Sequence, residues 1–178
     1  MNAPSHRLLL ACVLTLAASA VAQPLAPPPC AASQLSLATD NESGAFDGMM
    51  KSGTLLVLRN ISATPCRMSP LPPLSFRDAS DHDLKVSFTV QGSVGMHPGP
   101  VVLPIVIAPS AELTAALRWI SGEVFDHSVC VSPAQLSLDI GEATLHTIFH
   151  GQICGPDQDH VKVTVSRLTP DPVYKPTA

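Results

Sequence analysis

Charge is scarce in this chain: only 13% of its 178 residues are Asp, Glu, Lys or Arg. The balance is acidic, with 10 Lys+Arg against 14 Asp+Glu. A nucleic-acid binder needs a basic stripe to neutralise phosphates, so DNA and RNA are not expected as partners. Aromatic residues are scarcer still. One Trp, one Tyr and five Phe are too few for a platform on which bases or sugars stack. No GxSxG elbow is present, and no serine stands beside an evident base and oxyanion hole. Asp81-His82-Asp83 reads as one tight polar turn. Neither enzymatic activity nor a cofactor is expected. Short metal spacings such as CxxC are also missing, which disfavours a zinc knuckle. The low charge does not signal disorder, because 46% of the chain is hydrophobic. That is enough for a core of one domain at this length.

Long apolar runs are missing except at the start. Residues 1–22 have the three parts of a secretion signal: a short basic start at His6 and Arg7, an apolar run over 8–18, and the small-x-small site Ala20-Val21-Ala22 before Gln23. Cleavage is expected at Ala22/Gln23. Loss of Arg7 leaves nine cations against 14 acids, a net charge of −5 with His neutral. Leu9-Leu10-Ala11-Cys12 resembles a lipidation box, but the apolar stretch before Cys12 is too short for a signal core. No later segment reaches the ~18 apolar residues of a membrane span. The expected product is secreted or periplasmic, without a stable membrane anchor. Residues 23–29 hold four prolines and read as an extended spacer without hydrogen bonds. Residues 169–178 form a second Pro-rich tail, which leaves 30–168 as the folded domain.

Four cysteines remain after the signal: Cys30, Cys66, Cys130 and Cys154. An even number in an exported chain favours disulfides, and four allow three connectivities. Of these, nearest-neighbour pairing, Cys30–Cys66 and Cys130–Cys154, is the expectation. It closes one loop in each half of the domain.

The dominant hydrophobic period is two. Leu35 and Leu37, then Leu84, Val86, Phe88 and Val90, then Leu136, Leu138 and Ile140, then Val161, Val163 and Val165 all alternate with polar neighbours. Residues 54–58 are nearly continuous apolar, as in a central strand covered on both faces. Leu74 and Phe76 suggest a short strand. Residues 101–107 carry Pro104, which suits an edge or bulge. Residues 145–153 complete the set. Residues 110–120 fit a helical spacing, yet the odd positions from Ala111 to Trp119 also alternate with Glu112, Thr114, Ala116 and Arg118. The second pattern predicts a strand with Trp119 in the core. About nine short strands separated by turn signals read as an all-β sandwich of two antiparallel sheets.

Cys30, then Gly44-Ala45-Phe46-Asp47-Gly48-Met49 leading to a strand that ends Leu58-Arg59-Asn60, then Cys66, Pro109 with Ala111, Leu117-x-Trp119 and Cys130 form an ordered series. This order resembles a secreted bacterial family catalogued as domain of unknown function 4232, over roughly Cys30 to Leu168. The resemblance implies an immunoglobulin-like β-sandwich in an extracytoplasmic protein, often a lipoprotein. It implies no activity and no catalytic residue. Cys12 is badly placed for the lipid anchor of those relatives.

Several residues invite a site. Residues 40–53 and 92–100 are long loops carrying Phe46, Met49, Met50, Met96 and His97, apolar or metal-soft groups that a plain solvent loop does not need. They are the expected binding surface for an unknown protein or envelope ligand, as in a binding or structural envelope module. With Met68, the same methionines and His97 define the competing expectation, a periplasmic copper or divalent-metal binder, since thioethers favour Cu(I). A Cys130–Cys154 bridge would draw Asp126 and His127 towards Asp157, Asp159 and His160, a second possible metal set. His146 and His150 would lie about 13 Å apart on a strand, too far to share one ion. Arg59 can pair with an acid, and Asn60 suits the following turn. Asn41 and Asn60 each begin a glycosylation sequon, relevant only in a secretory path that glycosylates.

Overall fold

The structure, a computed structural model, describes residues 26–91 and 102–170. The signal segment with Ala22 and Gln23, the loop residues Met96 and His97, and the last eight residues of the tail lie outside the described residues.

Among the described residues fourteen strands carry the fold: β1 (Leu35–Asp40), β2 (Lys51–Asn60), β3 (Cys66–Met68), β4 (Leu74–Arg77), β5 (Asp83–Leu84), β6 (Ser87–Val90), β7 (Ile105–Ile107), β8 (Glu112–Ile120), β9 (Val129–Val131), β10 (Gln135–Ile140), β11 (Ala143–Ile148), β12 (Ile153–Gly155), β13 (Lys162–Val165) and β14 (Thr169–Pro170). The larger sheet runs β1-β2-β8-β13-β6, with β14 also on β8; the smaller runs β11-β10-β4-β5. Two ribbons, β3–β7 and β9–β12, complete an immunoglobulin-like sandwich. Among the described strands every pairing is antiparallel except β6–β13, which is parallel.

Alternation explains the layering. Leu113, Ala115, Leu117 and Trp119 of β8 point inward and are buried, as the strand pattern predicts over the helical one. Leu56 and Leu58 of β2 join them, and Phe76, Leu136 and Leu138 face them from the smaller sheet. Phe76 stacks on Phe88 across the sandwich at 5.4 Å between ring centroids, and Phe149 bridges Phe76 and Trp119 at 4.8 and 5.2 Å.

Four details differ from the sequence reading. The alternating run 84–90 is not one strand: Leu84 belongs to the smaller sheet and Phe88 to the larger. The break falls where the Val86 N–H turns back to the Leu84 carbonyl. Both halves keep the same face towards the core, so period alone cannot reveal the switch. Residues 145–153 also divide, because buried Phe149 leaves the sheet for the core between β11 and β12. β2 is central, yet its outer residues Leu55 and Val57 are only half-buried, so that face is incompletely covered. Finally, the folded unit exceeds its expected ends. Arg67 N–H donates to Pro28 O at 2.9 Å, and β14 pairs with β8 beyond Leu168.

Both disulfides form as expected. Cys30–Cys66 fastens the entering chain to β3, and Cys130–Cys154 joins directly opposed residues of β9 and β12. Asn60 closes the end of β2. Its Nδ2 donates to Thr64 O (2.9 Å) and Ile107 O (3.1 Å), while Oδ1 accepts from Ser62 N–H and O–H.

Candidate functional site

The expected binding loop 40–53 is fastened rather than free. Phe46 is half-buried and lies on Gly53, where an added Cβ would come 3.0 Å from the ring and 2.6 Å from Leu117 O. The Arg118 guanidinium lies over the Phe46 ring, 4.7 Å from its centroid. Phe46 therefore anchors the loop to the outer face of the larger sheet. Met49 is 92% and Met50 50% exposed. Met68, in contrast, is a core residue of β3, the gap-filling role usual for methionine.

The acidic and histidine loops are partly brought together. Asp157 Oδ1 accepts from the backbone of Asp159 and His160, and the His160 ring lies 2.6 Å from it. Asp159 pairs with Lys85. The hydrogen bond from His160 is the main reason that the Asp157 carboxyl lies below its ordinary range, with smaller help from backbone N–H groups and the imidazole charge. Asp126 and His127 occupy an exposed turn that Ser128 closes by accepting from the Phe125 N–H at 2.9 Å. Among the described residues no three His, Cys, Asp or Glu side chains gather closely enough to hold a metal ion.

His146 and His150 are both exposed, on β11 and just beyond it. His146 Nδ1 lies 2.9 Å from buried Ser137 Oγ across the β10–β11 pair. Serine and imidazole at that distance resemble a nucleophile and base. Both sit on the outer face of the smaller sheet, away from the two grooves described next. Arg59 pairs with Glu112 at 3.6 Å, and Arg77 with Asp81 and Asp83 at 3.0 Å each.

A groove of about 400 Å³ opens on the outer face of the larger sheet. Strand register builds it. Arg118 and Ile120 point outward from β8 because Leu117 and Trp119 point inward. Lys51 of β2 is the register partner of Ile120, and Thr164 of β13 is the partner of Arg118. Lys162, two residues before Thr164, enters from the other side of Ile120. Phe125 forms one rim; Cys154, Gly155 and Pro156 form a wall; His160 closes the end. Gly155 is required there, since a Cβ would fall 2.5 Å from His160 O. The floor and walls are thus largely apolar and three cations surround them.

Those cations are uncompensated. Among the described residues Lys51, Arg118 and Lys162 have no carboxylate within 4 Å; outside the groove Arg59, Arg77 and Lys85 have one, and Arg67 and Arg167 do not. In a chain that is acidic overall, this concentrates positive potential at one place. Sequence reasoning missed the three residues because 67 and 44 positions separate them in turn. Their outward parity was legible; their adjacency required the strand order. A second groove, of about 380 Å³, is lined by Thr39, Asp40, Asp47, Ser52 and His150. Its carboxylates are engaged locally: Asp40 accepts from Glu42 N–H and Asp47 from Ser52 O–H.

Fold and groove together define a disulfide-stapled, immunoglobulin-like sandwich with an open cleft on one sheet face. The family model described as domain of unknown function (DUF4232) matches residues 30–172, and the chain belongs to that family. Searches of curated proteins and of solved structures returned no match.

Proposed function

We propose that this protein is an exported, non-catalytic binding module whose ligand site is the groove between β2, β8 and β13. The observation that carries this reading is the convergence of Lys51, Arg118 and Lys162, all without acidic partners, around the apolar surface of Ile120, Phe125 and Pro156. Ligand pockets commonly combine an apolar lining with a few convergent polar groups. Export to the periplasm or beyond is supported by the signal-like residues 1–22 and by two disulfides, which persist in oxidising compartments. No described helix is long and apolar enough to cross a membrane.

A fragment screen followed by amide NMR tests the site. Shifts clustering at Ile120, Phe125, Gly155 and Lys162 are expected. Shifts clustering instead on residues 40–50, or along β10 and β11, would overturn the assignment.

A further inference from the structure

We infer that the groove takes a small amphipathic organic anion: an apolar body carrying carboxylate, sulfonate or phosphate groups. The inference rests on the groove being the ligand site and adds the chemical class. Three observations converge on it. A volume of about 400 Å³ lies in the range of small-molecule pockets, roughly 300–1,000 Å³. The surface between the cations is made by Ile120, Phe125 and Pro156, which an aryl or alkyl body would cover. Lys51 and Lys162 flank Ile120 from two neighbouring strands, so their Cα atoms are about 10 Å apart at ordinary strand spacing. Arg118 stands two residues along β8 and forms the third corner.

Like charges at such spacing repel one another weakly, and among the described residues no carboxylate lies within 4 Å of any of the three. Outside the groove, three of the five described Lys and Arg side chains have such a partner, and Arg67 and Arg167 do not. Glu112 meets Arg59, Asp81 and Asp83 meet Arg77, and Asp159 meets Lys85. A bound anion would do the same for the groove. A neutral ligand would bury Ile120 and Phe125 but leave the cations unanswered. Arg118 is also held in place by Phe46, so one anchor of the anion is positioned before the ligand arrives. The loop residues 41–50 thus contribute to the site by placing Arg118, rather than by direct contact.

The test uses 1-anilinonaphthalene-8-sulfonate as the probe and N-phenyl-1-naphthylamine, the same skeleton without its sulfonate, as control. The chain has a single tryptophan, Trp119, buried in β8 between the groove residues Arg118 and Ile120, so energy transfer from it reports occupancy. The sulfonate is expected to bind one to one and several-fold tighter than the neutral control. Its affinity should fall on the order of tenfold in the variant Lys51→Gln, Arg118→Gln, Lys162→Gln, as expected of a few exposed charge contacts. Raising salt should weaken it too, because such contacts are screened within about 8 Å at physiological ionic strength. The double variant Lys51→Gln, Lys162→Gln leaves Phe46 and Arg118 untouched, so it keeps the test valid if the triple variant fails to fold. Equal binding of both dyes, unchanged by the Gln variants but lost in Phe125→Ala, would remove the anion while keeping the groove as a site. Sulfonate binding indifferent to Phe125→Ala and to the Gln variants would remove both. Tight binding to phosphatidylglycerol vesicles that the sulfonate does not displace would overturn the small-molecule inference in favour of a membrane surface.

Discussion

Asn60 offers the sharpest test of how the sandwich is held. It is fully buried, and both ends of its amide are used. Replacement by Ala would deprive Ile107 O, itself in the core, of its side-chain donor, at a cost of about 1–3 kcal/mol. The bonds to Thr64 O and to Ser62 lie nearer the surface, where water can replace them in part. Each therefore contributes at the low end of roughly 0.5–1.5 kcal/mol. The sum for Asn60→Ala is about 3 kcal/mol. That is a large share of the ~5–15 kcal/mol that holds a domain together. At roughly 2–4 °C per kcal/mol for a domain of this size, Tm should fall by about 6–12 °C. Urea denaturation of the oxidised protein, monitored by Trp119 fluorescence, gives the same quantity independently. Ser62→Ala is the control and should cost less than about 1 kcal/mol, since it removes only the outer contacts. A loss below about 1 kcal/mol in Asn60→Ala would refute the reasoning. The same geometry bears on the sequon at Asn60: its Nδ2, the atom a sugar would need, is already committed to two carbonyls. Asn41 begins the other sequon and is exposed.

Replacing either disulfide by paired Ala should cost about 3–4 kcal/mol, from loops with separations of 36 and 24 residues; an unchanged urea midpoint in either variant would contradict this. Gly155→Ala forces a Cβ against the His160 backbone, so about 1–3 kcal/mol of overpacking should accompany weakened sulfonate binding, and a normal melting curve would show that the wall is not tight. In acid, the carboxyls of Asp157, lowered chiefly by its hydrogen bond from His160, and Asp78, lowered chiefly by the His82 N–H, should protonate below the ordinary aspartate value near 4. Their contribution is complete above that value and disappears as pH falls through the lower folded-state values. Carboxyl NMR titration giving ordinary values for both would refute those turn geometries.

Much of the fold was legible because it depends on short-range alternation. Trp119 could be placed in the core since every odd position of β8 had to share its face, and that constraint defeated the helical spacing of Leu113, Leu117 and Ile120. The cysteines pair as nearest neighbours, the one of three connectivities that the sequence reading expected. What was not legible shares one cause. The switch of sheets between Leu84 and Phe88 preserves the hydrophobic period, so the sequence carries no mark of it. The departure of Phe149 from the sheet depends on a cavity edged by Phe76 and Trp119, residues 73 and 30 positions away. Pro28 looked like part of a spacer because proline lacks an N–H, but its carbonyl remains an acceptor and Arg67 uses it. The loop residue Phe46 was correctly singled out as unusual. Its role as an anchor follows from Gly53 and Arg118, neither of which drew notice.

The location of the groove follows from what covers the larger sheet. An inward face must be packed, but an outward face can be left to solvent in an antiparallel sheet, and natural coverage is therefore uneven. Among the described residues two chain segments reach over the outer face: Phe46 over Gly53, and the Cys154-Gly155-Pro156 wall beside Thr164. Between them Ile120 stays accessible, and an exposed apolar surface bounded by polar groups is a recognised mark of binding. Neither segment could close the gap without meeting the side chains of Lys51, Arg118 and Lys162, whose outward direction is fixed by the buried residues beside them. The packing of the core on one side of the sheet thus sets the charge on the other. A substitution that slipped β8 by one residue would exchange Trp119 for Arg118 at the core and abolish groove and fold together, which is why the cations can be tested one at a time but their spacing cannot drift.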